Sequence, residues 1–147
     1  MTTVQQGLET ARAGTHPGLI CQLPSSWAVL CDLQYLRGYT ILLPDPYTDS
    51  LNDLAPQKRA GYLCDMALVG DALLEVTKAY RINYAICGNS DPALHAHIVP
   101  RYASEPEKYR KNHPWSYPQE TMDAVKLDPA RDRELMRQIA RAIQQRL

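Results

Sequence analysis

The sequence has no phenylalanine, no C-x-x-C pair and no excess of either charge sign. Each absence removes a class of function. Sixteen basic and sixteen acidic residues cancel to a formal net charge of +0, so no global field marks the chain for a nucleic acid or an anionic membrane. No apolar run approaches the ~18 residues needed to span a bilayer. Cys21, Cys31, Cys64 and Cys87 are scattered without disulfide-framework or zinc-ribbon spacing and read as reduced core thiols. The start, "MTTVQQGLETARAG", lacks the basic onset and apolar core of a signal peptide. The expected location is the cytoplasm. Internal repeats and low-complexity segments are also missing, and 147 residues suffice for one domain with a real core.

What is present reads as alternating strands and helices. "SSWAVLCDL" (25–33) and "GYTILLP" (38–44) are apolar, β-prone runs joined by "QYLRG", which predicts an antiparallel hairpin ending at a glycine. "DPYTDSLNDL" is rich in turn residues and predicts a loop or short helix. From Pro56 to Tyr80 runs the clearest helix, with Leu63, Met66, Ala67, Gly70, Leu74 and Thr77 as its expected buried stripe. "RINYAIC" (81–87) and "LHAHIVPRY" (94–102) predict two more strands around the turn "GNSDP". Residues 103–127 hold three prolines and several aromatics, as expected for an irregular but anchored tail. A last helix is expected from Asp128 as cap, with Leu135, Ile139, Ile143 and Leu147 facing inward and its arginines in solvent. A mostly antiparallel sheet with two helices is an α+β domain.

The stretch "ALHAHIVPRY" carries the chemistry. Side chains alternate along a strand, so His95, His97 and Val99 point one way while Leu94, Ala96 and Ile98 point toward a core. Two imidazoles side by side admit four readings. They are an idle solvent face, a metal site, a phosphate-binding pair without chemistry, or a nucleophile beside a group that holds the transferred oxygens. Zinc wants three or four ligands, and the remaining histidines, His16 and His113, lie in Gly/Pro-rich stretches with no matching spacing. No metal or other cofactor is therefore expected.

The order of elements over 19–102, together with "LHAHIVPR", resembles the histidine triad family of nucleotide hydrolases and transferases. The family pattern is His-φ-His-φ-His-φ-φ, φ being apolar, often followed by Pro-Arg. In this sequence it reads Ala93 to Arg101, with Ala93 at the first histidine. The resemblance implies an α+β histidine-triad-like fold, with core 19–102 and the tail and last helix in 103–147. It further implies a homodimer and a small nucleotide substrate. His95 falls at the family's nucleophile, which attacks the α-phosphorus, and its orientation comes from a main-chain carbonyl that Ala93 still supplies. His97 falls at the histidine that contacts phosphate; Asp32 falls at the acidic position that holds ribose hydroxyls, with apolar Leu33 beside the base. Asn89 and Ser90, in place of a Gly/Gln-rich turn, are candidate phosphate contacts. A second family histidine, in a Pro-x-x-His pattern, is replaced by Tyr47. The implied activity is cleavage at the α-phosphate of a dinucleoside polyphosphate or nucleoside phosphoramidate through a nucleotidyl-His95 intermediate. The alternative is a nucleotide-binding relative without catalysis. Because adjacent imidazoles compete for protons, a neutral His95 beside a cationic His97 is the expected working state.

Overall fold

The computed structural model describes residues 1–147. Its centre is a five-stranded sheet in the order β1-β2-β3-β5-β4, made of β1 (Leu19–Leu23), β2 (Ser26–Leu30), β3 (Thr40–Pro44), β4 (Arg81–Ala85) and β5 (Ala96–Arg101). Every neighbouring pair is antiparallel. The expected hairpin is β2–β3. Its loop is held by buried Gln34, whose amide donates to the carbonyls of Cys31 and Tyr39 and accepts from the Gly38 N–H. Gly38 has φ +94, a conformation that side chains rarely adopt.

Partners across the ladder share a face. Ala28, Leu42 and Ala96 form one row, and Val29, Ile41, His97 and Ala85 form a row on the other side. The first face is covered by α2 (Pro56–Thr77) and the last helix, α3 (Arg133–Gln144), which pack on each other and bury Leu73, Leu94, Ile98 and Ile139 in the main core. The second face has two smaller covers. At one end, α1 (Thr3–Arg12) lays Val4, Leu8 and Ala11 on Val29, Leu43 and Ala93. At the other, the aromatic tail packs Tyr117 and Met122 against Leu36, Tyr39 and Val99. The histidine row lies between these covers.

Several boundaries differ from expectation. α1 was not foreseen, although Thr2 and Gln5 form a capping box and the buried residues recur at helical spacing. In α2 the buried side is Tyr62, Asp65, Val69, Gly70, Ala72 and Leu73, and Leu74 is exposed. The helix is apolar on more than one side, so spacing alone left its rotation undetermined. A carboxylate faces inward because Asp65 caps the β1–β2 turn, accepting from the Ser25 amide at 2.8 Å and the Ser26 hydroxyl at 2.6 Å. α2 stops at Thr77 because Lys78 turns left-handed, at φ 61. β5 begins at Ala96, so His95 is the residue just before it. α3 starts at Arg133; Asp128 instead closes a local turn onto the amides of Ala130 and Arg131. Leu135, Ile139 and Ile143 are buried as expected, whereas Leu147 is exposed. All four cysteines are free thiols, but only Cys21 is buried, Cys31 is half-buried, and Cys64 and Cys87 are exposed. No helix is long and apolar enough to cross a membrane.

Candidate functional site

A cavity of about 520 Å³ opens where α1 and the tail leave the sheet uncovered. His95 and His97 line it, with Val29, Ile41 and Leu43 among its apolar residues. Leu94, Ala96 and Ile98 are buried on the opposite side, as alternation requires. The two imidazoles meet edge to face with ring centroids 4.9 Å apart.

His95 is oriented by its own chain. Its Nδ1 lies 2.8 Å from the Ala93 carbonyl oxygen. A carbonyl only accepts, so Nδ1 carries the proton and Nε2 keeps a free lone pair. The device uses only the backbone of residue 93, so an alanine serves it fully.

His97 is held differently. Its Nδ1 sits 2.6 Å from the hydroxyl of Tyr39, whose phenol is kept protonated by burial. Burial and then the neighbouring His95 push the His97 pKa down to about 4. His97 is therefore neutral near neutral pH, which corrects the expectation of a cationic phosphate holder: desolvation outweighs any benefit of placing charge there. A phenol both donates and accepts, so this contact allows either tautomer; in the one where Tyr39 donates to Nδ1, the His97 Nε2–H is a donor. The lowered pKa has a consequence for stability. The unfolded ring takes a proton at its ordinary 6.5 while the folded ring resists until about 4. Stability is thus fully present above the first value and declines as pH falls toward the second. Urea midpoints measured above and inside that window should fall for the wild type and fall less for His97→Gln; parallel declines would contradict the assignment.

Other expected residues divide. Asp32 lines the cavity, its carboxylate mostly exposed and 3.9 Å from Lys126. Leu33 lies outside the lining and pairs its backbone with Lys126 instead. Asn89 and Ser90 are in an exposed part of their turn, and the turn's contribution to the cavity is Asp91. One Asp91 oxygen accepts from the Val4 amide at 3.2 Å, fastening the first turn of α1 to the cavity edge. Tyr47 packs near α1, its hydroxyl donating to Asp49, and lies outside the cavity lining. Sequence reasoning passed over His16, which lines the same cavity. Only the turn-forming "THPG" after α1 hinted that the chain folds back there.

The chemistry open to the cavity is bounded by what lines it. No lysine or arginine does; its charged groups are Asp32 and Asp91. Cys31 also lines it, but burial raises its pKa to about 11, so it is a thiol and not a nucleophile. No three His, Cys, Asp or Glu side chains are grouped to hold a metal ion. Trp115 stands edge-on to His97 at 5.2 Å. It walls a second hollow of about 300 Å³ over Ala85 and Val99 and is not part of the histidine cavity's lining.

No family model matches the chain, and no curated protein matches it. Solved structures do. A histidine triad protein from Bradyrhizobium japonicum is 25% identical, with 85% of this chain and 89% of that one covered and a TM-score of 0.70. A histidine triad protein from Marinobacter aquaeolei is 16% identical over 99% and 98% of the two chains, at 0.71. A hypothetical histidine triad nucleotide-binding protein from Sulfolobus tokodaii is 16% identical over 95% and 92%, at 0.72. The chain has the histidine-triad-like fold.

Proposed function

We propose that the cavity binds a nucleoside phosphate and that His95 Nε2 attacks its α-phosphorus. The observation that carries this reading is the Nδ1–H to Ala93 carbonyl bond, 2.8 Å, which leaves a neutral, aimed lone pair on the other nitrogen. Attack forms a P–N bond and breaks the bond from phosphorus to the leaving group. The leaving group departs with the electron pair and takes a proton from water. The positive charge that develops on the His95 ring is eased by the Ala93 carbonyl. Water then attacks the phosphorus, the P–N bond breaks, and the nucleotide leaves with Nε2 restored. His97, in the tautomer with Tyr39 donating to its Nδ1, gives its Nε2–H to a phosphoryl oxygen. Asp32 accepts from the ribose hydroxyls. The volume, about 520 Å³, suits one nucleotide, and the Sulfolobus tokodaii neighbour is named as nucleotide-binding.

A lining with two carboxylates and no lysine or arginine disfavours a long polyphosphate. Of the two leaving groups the resemblance implies, an amine on a nucleoside phosphoramidate fits better than a nucleoside polyphosphate. A reaction with such a substrate, quenched early and digested, should show one nucleotidyl group on the peptide containing His95. Turnover without that adduct would remove the covalent step. Binding without turnover would establish the second reading, a non-catalytic nucleotide-binding protein, which the alanine at position 93 and the neutral His97 favour.

We further propose a homodimer. β1 and β4 are the open edges of the sheet, and Tyr84 on β4 and nearby Tyr80 are exposed, a combination that pairing with a second copy would cover. Sedimentation at micromolar protein should give twice the chain mass; a single-chain mass there counts against the dimer and leaves the site untouched.

A further inference from the structure

The proposed reaction uses two of the imidazoles in the cavity and leaves a third without a role. His16 reaches the cavity from the loop between α1 and β1. The Gly18 amide donates to its Nδ1 at 3.0 Å. Because a backbone N–H only donates, Nδ1 bears no proton and Nε2 must carry it. Burial lowers the His16 pKa as well, keeping the ring neutral. His16 is therefore a fixed hydrogen-bond donor with no acceptor left to offer.

Its position along the cavity is also set. The Gly18 carbonyl accepts from the Leu30 amide at 2.7 Å, so the 16–18 segment lies against the end of β2, two residues before Asp32. A Cβ on Gly18 would stand 2.6 Å from the Leu30 carbonyl oxygen and 3.2 Å from Leu127; glycine lets the segment press this close. Leu127 in turn donates its amide to the Asp32 carbonyl at 2.8 Å. His16, Pro17, Asp32 and Leu127 thus gather at one end of the lining, whereas Asp91 is held at the first turn of α1 by the Val4 amide.

We infer that His16 is a specificity-determining residue, its Nε2–H donating to an acceptor atom on the edge of a nucleobase held between Pro17 and Leu127. The inference rests on the nucleotide reading above. If Asp32 holds the ribose and His95 faces the α-phosphorus, the base lies beyond Asp32, where the apolar side chains of Pro17 and Leu127 and one neutral donor suit an acceptor-bearing heterocycle. A phosphate would be less well served there, since no lysine or arginine lines the cavity and the nearby Lys126 ammonium is 3.9 Å from the Asp32 carboxylate.

The test is calorimetric binding of ribose 5-phosphate and of the four ribonucleoside 5′-monophosphates to wild type, His16→Leu, His16→Gln and Asp32→Asn. Expected for His16→Leu is a loss of about tenfold for the tightest nucleoside monophosphate, the worth of one hydrogen bond, with ribose 5-phosphate unchanged within twofold. His16→Gln keeps a donor and should recover part of the loss. Asp32→Asn should weaken both ligands together. Equal loss of both ligands in His16→Leu, or loss of neither, overturns the base-reading role. A wild type that binds ribose 5-phosphate but gains nothing from a base overturns it too, while leaving a sugar-phosphate site intact. A wild type that binds none of the five removes the nucleotide reading and this inference with it.

Discussion

His95→Ala should lower the rate of the chemical step by on the order of 10⁴–10⁶-fold while nucleotide affinity changes little. The size follows from the role: a nucleophile that forms the covalent bond has no substitute among its neighbours, and removing one costs on that scale. His97 is held neutral with its Nδ1 on Tyr39, and Cys31 is held as a thiol. Neither is placed to take over. Affinity should survive because His95 gives the ground state little. Its Nδ1 is spent on Ala93, and its Nε2 lone pair repels rather than binds a phosphoryl oxygen. Single-turnover kinetics and equilibrium binding, measured on the same variant, separate these effects. A second variant, His95→Gly, makes room for added imidazole, which should restore measurable turnover by entering as the nucleophile. If His95→Ala turns over at the wild-type rate, the chemistry lies elsewhere. If it loses binding in proportion to rate, His95 is a binding residue and the non-catalytic reading gains.

Much of this site was legible because strand alternation is a strict rule. Once Leu94, Ala96 and Ile98 are assigned inward, His95 and His97 must share the other face, and the structure places them so. The hairpin was legible for a similar reason, since a short loop ending in glycine leaves two apolar strands few options. Long-range effects were not legible. The charge state of His97 is set first by burial under elements distant in sequence and only then by the neighbouring His95. His16 enters the cavity only because α1 folds across β2 and β3, and "THPG" by itself shows a turn and nothing more. The rotation of α2 turned on Asp65, a carboxylate that hydrophobic patterning assigns outward and that two serines of a distant turn draw inward. Asn89 and Ser90 stand where the resembled motif has a Gly/Gln-rich turn, and the turn residues differ here. The backbone turns there in a way that brings Asp91 to the cavity and leaves its predecessors in solvent.

The Pro-Arg that helped to mark the resemblance has a structural explanation in this chain, and it sets the second large effect. Arg101 is 1% exposed and uses all five of its N–H groups. Nε and Nη2 take the two oxygens of Glu105 at 3.2 and 3.0 Å. Nη1 takes Asn83 Oδ1 and the Asn112 carbonyl at 2.7 Å each, and Nη2 also takes the Tyr109 carbonyl at 2.8 Å. Burial alone would raise the Glu105 pKa, but the bonds from Arg101, the Tyr117 hydroxyl and the Tyr102 amide hold the carboxyl below its usual range. The guanidinium therefore joins β5, β4 and the tail, and the tail carries Trp115 to the side of His97. Arg101→Met keeps most of the volume but leaves a buried carboxylate and two carbonyls without their partner. Breaking a buried pair on one side costs about 3–5 kcal/mol, a large part of the roughly 5–15 kcal/mol by which a domain is stable. Urea denaturation should register that loss. The double variant Arg101→Met with Glu105→Gln removes the orphaned charge and should be more stable than the single one. Near-ultraviolet circular dichroism should show the Trp115 environment loosening in the single variant before global unfolding, because the tail is released first. A single variant within about 1 kcal/mol of wild type, the range of an exposed pair, would mean that the tail is held by its aromatic packing and not by Arg101.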